Sequence, residues 1–169
     1  MKLINILGAP NLGKSTMAAG LYHNMKKLGF NVELVDEFAK FKVYENNPKA
    51  LKCQPYIFAQ QLYKIMMASD DTDYIITDSP VILSAIYNED YPPSFEQFVV
   101  DTFKQFESVN LLLEINKNIK FQEKGRRHTL SQQEFLQLEI VELLDKHGIE
   151  YLKIDPYGTE PSELIRHIE

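Results

Sequence analysis

The stretch Gly8-Ala9-Pro10-Asn11-Leu12-Gly13-Lys14-Ser15 constrains this chain more than any other. It fits the pattern Gly, four residues, Gly-Lys-Ser, and its setting matters as much as the match. Lys2 to Leu7 before it reads as a short buried strand, and Thr16 to Met25 after it as a helix. A glycine turn between a strand and a helix aims successive backbone N–H groups at an anion, and the helix start adds its unpaired N–H groups and positive dipole end. The spacing predicts a site for a nucleotide triphosphate held by Gly8, Asn11, Leu12, Gly13, Lys14, Ser15 and Thr16. Lys14 is a point charge for the outer phosphates, and the Ser15 hydroxyl can ligate Mg²⁺. The bland alternative, a glycine turn ahead of an ordinary helix, is disfavoured by the flanking pattern.

The remainder of the chain alternates strands with helices. Strands are expected at Asn31–Val35, Asp73–Asp78, Asn110–Ile115 and Glu150–Ile154. Helices are expected from Pro55 to Ser69, from Ser79-Pro80 through Ile86, from Phe95 to Phe106, from Ser131 to Lys146, and from Pro161 to Ile168. Ser94 with Gln97 and Ser131 with Glu134 have capping-box spacing. Asn116 to Leu130 is polar and charged and reads as a long loop. Such alternation implies α/β architecture, with a five-stranded parallel sheet covered on both faces. At 169 residues and 44% hydrophobic, the chain suits one compact domain over residues 1–169.

Ligands in such sheets sit beyond the carboxyl ends of the strands. Four segments converge on that edge: the loop at Gly8, the acids Asp36-Glu37, Asp78, and the loop after Ile115. Asp78 ends an apolar strand and can orient Mg²⁺ beside Ser15; capping the next helix is its alternative role. Glu37 suits the acceptor side, where a carboxylate takes the proton of a hydroxyl under phosphoryl transfer, with Asp36 as the competing candidate. Arg126 and Arg127 are two of only three arginines, and they are adjacent inside the polar loop. Their planar forks suit phosphate oxygens, so a lid closing over the nucleotide is expected there. Gln60 or Gln61 can read a base edge with its amide. Asn116-Lys117-Asn118-Ile119 lacks the carboxylate that would accept from guanine, which disfavours a GTPase.

The formal net charge of −6 disfavours a nucleic-acid partner, though it does not forbid a local basic groove. Cys53 is the only cysteine, which fits the cytoplasm, or a host's cytoplasm if the chain is phage-encoded. Four scattered histidines lack zinc-ligand spacing, and no apolar run reaches the ~20 residues of a membrane span.

Gly-Ala-Pro-Asn-Leu-Gly-Lys-Ser-Thr, Val-Glu-Leu-Val-Asp-Glu-Phe-Ala-Lys and Ile-Ile-Thr-Asp-Ser-Pro together resemble small phage and bacterial P-loop nucleotide kinase-like proteins of the nicotinamide-riboside kinase type. Gly125-Arg126-Arg127-His128-Thr129 is similar to that group's lid. The resemblance covers most of the chain. It implies a three-layer α/β/α P-loop NTPase fold with a lid over about 116–130, and it implies ATP, Mg²⁺ and a nucleoside or nucleotide acceptor. By position it implies that Lys14 and Ser15 hold phosphate and metal, Glu37 faces the acceptor, Asp78 supports the metal, and Arg126 belongs to the lid. One departure is Asn11-Leu12, where smaller residues are commoner; Leu12 is expected to crowd the loop and lower ATP affinity.

The leading expectation is an ATP-dependent phosphotransferase acting on a nucleoside, nucleotide or related small molecule, as a monomer or homodimer. Two others stay open. One is a kinase of a modified base in phage DNA, which predicts salt-sensitive DNA binding. The other is an ATPase or nucleotide switch acting on a protein partner, which needs a residue to position an attacking water.

Overall fold

The computed structural model describes residues 1–115 and 130–168. Five strands form one parallel sheet: β1 (Lys2–Leu7), β2 (Val32–Val35), β3 (Tyr74–Thr77), β4 (Ser108–Leu113) and β5 (Leu152–Ile154), in the order β2-β3-β1-β4-β5. Between them run α1 (Lys14–Lys27), α2 (Phe38–Tyr44), α3 (Pro48–Lys52), α4 (Gln54–Ala68), α5 (Leu83–Ile86), α6 (Pro93–Phe103) and α7 (Leu130–Lys146). A 3₁₀ helix, Pro161–His167, follows β5.

The three central strands, β3, β1 and β4, are mostly buried, because helices cover both faces of the sheet. Leu3 and Leu7 of β1 join Ile75, Leu112, Phe58, Ile65, Val99 and Leu144 in one core, under α4, α6 and α7. Ile4 and Ile6 join Ile76, Leu111, Met17, Leu21, Leu164 and Ile165 in the other, under α1 and the 3₁₀ helix. Gly20 lets those last two elements meet: a Cβ there would stand 2.7 Å from Pro161 Cγ. One polar pair crosses the aliphatic sheet. Asn5 on β1 lies in register with Asn110 on β4. Asn5 Nδ2 donates to Asn110 Oδ1 at 2.9 Å, and Asn110 Nδ2 donates to the Glu150 carbonyl at 2.9 Å.

Differences from the expected elements have local causes. The helix α6 begins two residues early, at Pro93, with Pro92 extended before it and no side-chain cap. Proline at the first helical position needs no N–H partner, so Ser94 falls inside the helix rather than capping it. The strand β4 starts at Ser108 and ends at Leu113, two residues ahead of the expected span, because its pairing with β1 begins at Leu3↔Ser108. The short helices α2 and α3 were not expected; Asn47 caps α3, its side chain accepting from Ala50 N. No helix among the described residues is long and apolar enough to cross a membrane.

Candidate active site at the carboxyl edge of the sheet

The chain leaves β1 at Leu7 and turns through Gly8 (φ +139°), Asn11 (φ +68°) and Gly13 (φ +85°). Glycine and asparagine are the residues that adopt positive φ at least cost. Gly13 precedes α1 without a side-chain cap, so the first N–H groups of that helix are left for an anion. Asn11, Gly13, Ser15 and Thr16 are exposed, and Lys14 is half-buried. Lys14 Nζ donates to the carbonyls of Gly8 and Ala9, both at 2.9 Å.

Leu12 departs from expectation. Its side chain is buried in the core on the α1 side of the sheet, and its Cδ1 lies 3.2 Å from where a Cβ on Gly8 would stand. It therefore turns beneath the loop and does not crowd it; only its backbone remains in the arc.

Two carboxylates face Lys14. Asp78, just past β3, is buried, and its Oδ1 has no hydrogen-bond partner. It does not cap the next helix: α5 starts at Leu83 with Ile82 before it and no side-chain cap, while Ser79 N donates to Thr77 Oγ1 at 3.2 Å. Glu37 is half-buried at the start of α2. Burial pushes the Glu37 carboxyl above its ordinary value; Lys14 opposes that shift and Asp78 adds to it. Burial likewise holds the Lys14 ammonium below its ordinary value, against the pull of Glu37 and Asp78. The three groups thus form one electrostatic cluster.

Asp36 is arranged differently. It is exposed and ion-paired with Lys64 of α4, whose Nζ also donates to the Asp36 carbonyl at 2.9 Å. Gln61 completes the tether. Its Oε1 accepts from Phe38 N at 2.9 Å, and its Nε2 reaches the Asp36 carbonyl at 3.3 Å and Thr77 Oγ1 at 3.4 Å. The expectation that Gln61 reads a base is corrected on this point, because its buried amide is spent on the protein's own backbone. Gln60, half-buried on α4, is not part of the cleft wall.

A cleft of about 220 Å³ opens over this cluster, lined by Ser15, Ala18, Leu34, Asp36, Glu37, Lys40, Phe41, Tyr44 and Asp78. The aromatics come from α2, which has no buried residue; Phe41 and Tyr44 are 47% and 72% exposed, and Lys64 Nζ stands over the Phe41 ring, 5.4 Å from its centroid. Arg126, Arg127 and the rest of the expected lid lie outside the described residues.

Sequence reasoning missed two glutamines of α7. Gln137 Oε1 accepts from Ala9 N at 2.8 Å, and its Nε2 donates to the Leu113 carbonyl at 2.9 Å. Gln133, buried, donates to the Pro10 carbonyl at 2.6 Å. They bind the first half of the phosphate loop to the end of β4. The only signal in the sequence is the i, i+4 spacing of two glutamines, which an exposed helix face shows equally well.

The NadR protein, solved in complex with NR, superposes with a TM-score of 0.70 at 14% identity, over 99% of this chain and 51% of that one. This chain thus spans about half the length of that protein. Deoxyadenosine kinase from M. mycoides, solved with bound dATP, superposes with a TM-score of 0.58 at 22% identity, over 99% and 98% of the two chains. At these identities the likeness establishes the fold alone. No curated protein sequence matches the chain. The family model described as "AAA domain" matches residues 3–160, nearly the whole length, and the chain belongs to that family.

Proposed function

We propose that the protein is an ATP-dependent kinase that phosphorylates a nucleoside, a nucleotide or a related small molecule. The observation that carries this reading is the electrostatic cluster of Lys14, Glu37 and Asp78, whose two carboxylates line one cleft with Ser15. A phosphate loop alone serves many chemistries; a half-buried carboxylate beside its lysine can take the proton of a hydroxyl acceptor.

Magnesium fits the residues present. The unpartnered Asp78 Oδ1 and the exposed Ser15 hydroxyl are hard oxygens lining one cleft. A cation that keeps several waters needs only one or two such ligands besides phosphate. When bound, Mg²⁺ supplies neutralisation of the charge on the transferring phosphates. The chain's residues do the rest. The loop N–H groups and Lys14 hold the polyphosphate. Glu37, held above the usual carboxylate range by burial, accepts the proton of the acceptor hydroxyl. Phe41 and Tyr44 offer faces on which a planar base can stack, and Lys40 an exposed charge beside them. Arg126 and Arg127 are proposed to close over the transfer.

A coupled assay with Mg²⁺–ATP across nucleosides and nucleoside monophosphates tests the reading. Phosphorylation of at least one acceptor, lost in Glu37→Gln with ATP binding intact, is the expected outcome. ATP hydrolysis that no acceptor accelerates would transfer the case to the ATPase or switch.

A further inference from the structure

The helix α4 is apolar on two faces. Ile57, Phe58, Gln61 and Ile65 are buried against the sheet. On the opposite face Tyr56, Ala59, Tyr63, Met66 and Met67 recur at three- and four-residue steps, and all are exposed; Tyr63 and Met67 are 58% and 64% exposed. The only charged residue of the helix, Lys64, lies on its flank and pairs with Asp36. A solvent-facing helix normally carries its charges on the outer face. Here that face carries none.

The charges stand at its two ends instead, and in the wrong order for an isolated helix. Lys49 and Lys52 on α3 lie just ahead of its N-terminus; Asp70, Asp71 and Asp73 follow its C-terminus. All five are exposed, and none takes part in an ion pair among the described residues. Lys49 and Lys52 suit the last turn of α3, to which they belong, but relative to α4 the order is the reverse of what its own dipole favours, anions at the start and cations at the end.

We propose that this face joins two copies of the chain, their α4 helices packed antiparallel about a two-fold axis that passes between Gln60 and Tyr63. That register sets Tyr56 of one copy against Met67 of the other, with sulfur and ring faces in contact. It also sets Lys52 against Asp71. Each basic end then meets the partner's acidic end, and each helix receives carboxylates at its N-terminus and ammonium groups at its C-terminus. Charges without an ion pair in one copy become complementary between two, as an isologous interface requires. An apolar centre with a charged rim is the ordinary anatomy of such a contact.

Sedimentation of the full chain tests it. The wild type is expected at twice the mass of one chain, with dissociation promoted by salt. Tyr63→Glu is expected to weaken association roughly 30-fold or more, with the melting temperature of the single chain held. Lys49→Glu with Lys52→Glu, and separately Asp70→Lys with Asp71→Lys, are each expected to sediment as single chains. All four substitutions together restore complementarity and are expected to restore the dimer. A wild type that stays a single chain at high concentration overturns the proposal, as does a dimer indifferent to Tyr63→Glu. Failure of the four-fold exchange to recover association, in a chain that still melts cooperatively, also overturns it. None of these residues belongs to the proposed kinase site, so the outcome is independent of whether an acceptor is found.

Discussion

The two halves of the proposed kinase site are built in opposite ways. The phosphate side is contiguous: Gly8 to Thr16 supply loop, lysine and hydroxyl from nine successive residues, shaped by three positive-φ positions. The proposed acceptor side is assembled from a distance. Glu37 sits at the start of a seven-residue helix with no buried side chain, and Gln61 and Lys64 hold that turn in place from 23 to 28 positions away. A contiguous motif carries its geometry in its own backbone. A tethered one borrows it from a neighbouring helix, so its failures can be induced remotely.

The sharpest way to separate the halves is Glu37→Gln. Turnover is expected to fall by roughly 10²–10⁴-fold, as for loss of a general base, with ATP affinity unchanged by calorimetry. Equal losses in both would place Glu37 on the nucleotide side and dissolve the division. The same variant has a pH signature. Below the raised pKa of Glu37 the carboxyl is protonated and cannot accept a proton, so wild-type activity falls with pH at a value above the ordinary carboxylate range. The residual activity of the variant should lack that limb. Stability moves the other way. A carboxyl whose pKa is raised by folding destabilises the folded state once ionised, so wild-type stability falls as pH rises from the ordinary value to the raised one. Glu37→Gln should therefore melt higher than wild type above that window and no higher below it.

Lys14→Ala addresses the other half. ATP affinity is expected to weaken about 10- to 100-fold, the scale of a charge-assisted contact. Gln61→Leu tests the tether. It strips Phe38 N of its partner, costing about 1–3 kcal/mol in a denaturant titration. It should also lower turnover without touching ATP affinity; a loss of ATP affinity instead would show that the acceptor side is not independently held. Gln137→Ala is the mirror experiment on the phosphate loop. It frees Ala9 N and should raise the KM for ATP with turnover at saturation largely kept. The smallest effect is expected for Lys64→Met, which removes a partly exposed ion pair worth no more than about 1 kcal/mol.

That division also explains what the amino-acid order could disclose. The loop and the parallel sheet were legible, because a contiguous spacing and an alternation of apolar runs need no knowledge of distant contacts. The grounds for proposing Glu37 rather than Asp36 were not: Lys64 draws Asp36 aside, while Glu37 shares the electrostatic cluster with Lys14. Leu12 looked obstructive because a sequence does not say which way a side chain turns; the buried space beneath Gly8 takes it. Gln61 was read as a recognition group because an amide suits a base edge and a backbone N–H equally well. Gln133 and Gln137 went unnoticed for the same reason, and α2 because none of its side chains is buried.

The amide pair inside the sheet has a consequence beyond its two hydrogen bonds. Leucines and isoleucines are nearly interchangeable partners, so an aliphatic strand can slide past its neighbour with little to forbid it. Asn5 and Asn110 are not interchangeable with anything around them: a one-residue slip of β4 would strand two amides in oil. They act as a vernier for the centre of the sheet. They fix how far β4 protrudes past β1, and with it where the Leu113 carbonyl meets Gln137, the residue that also holds Ala9 of the phosphate loop.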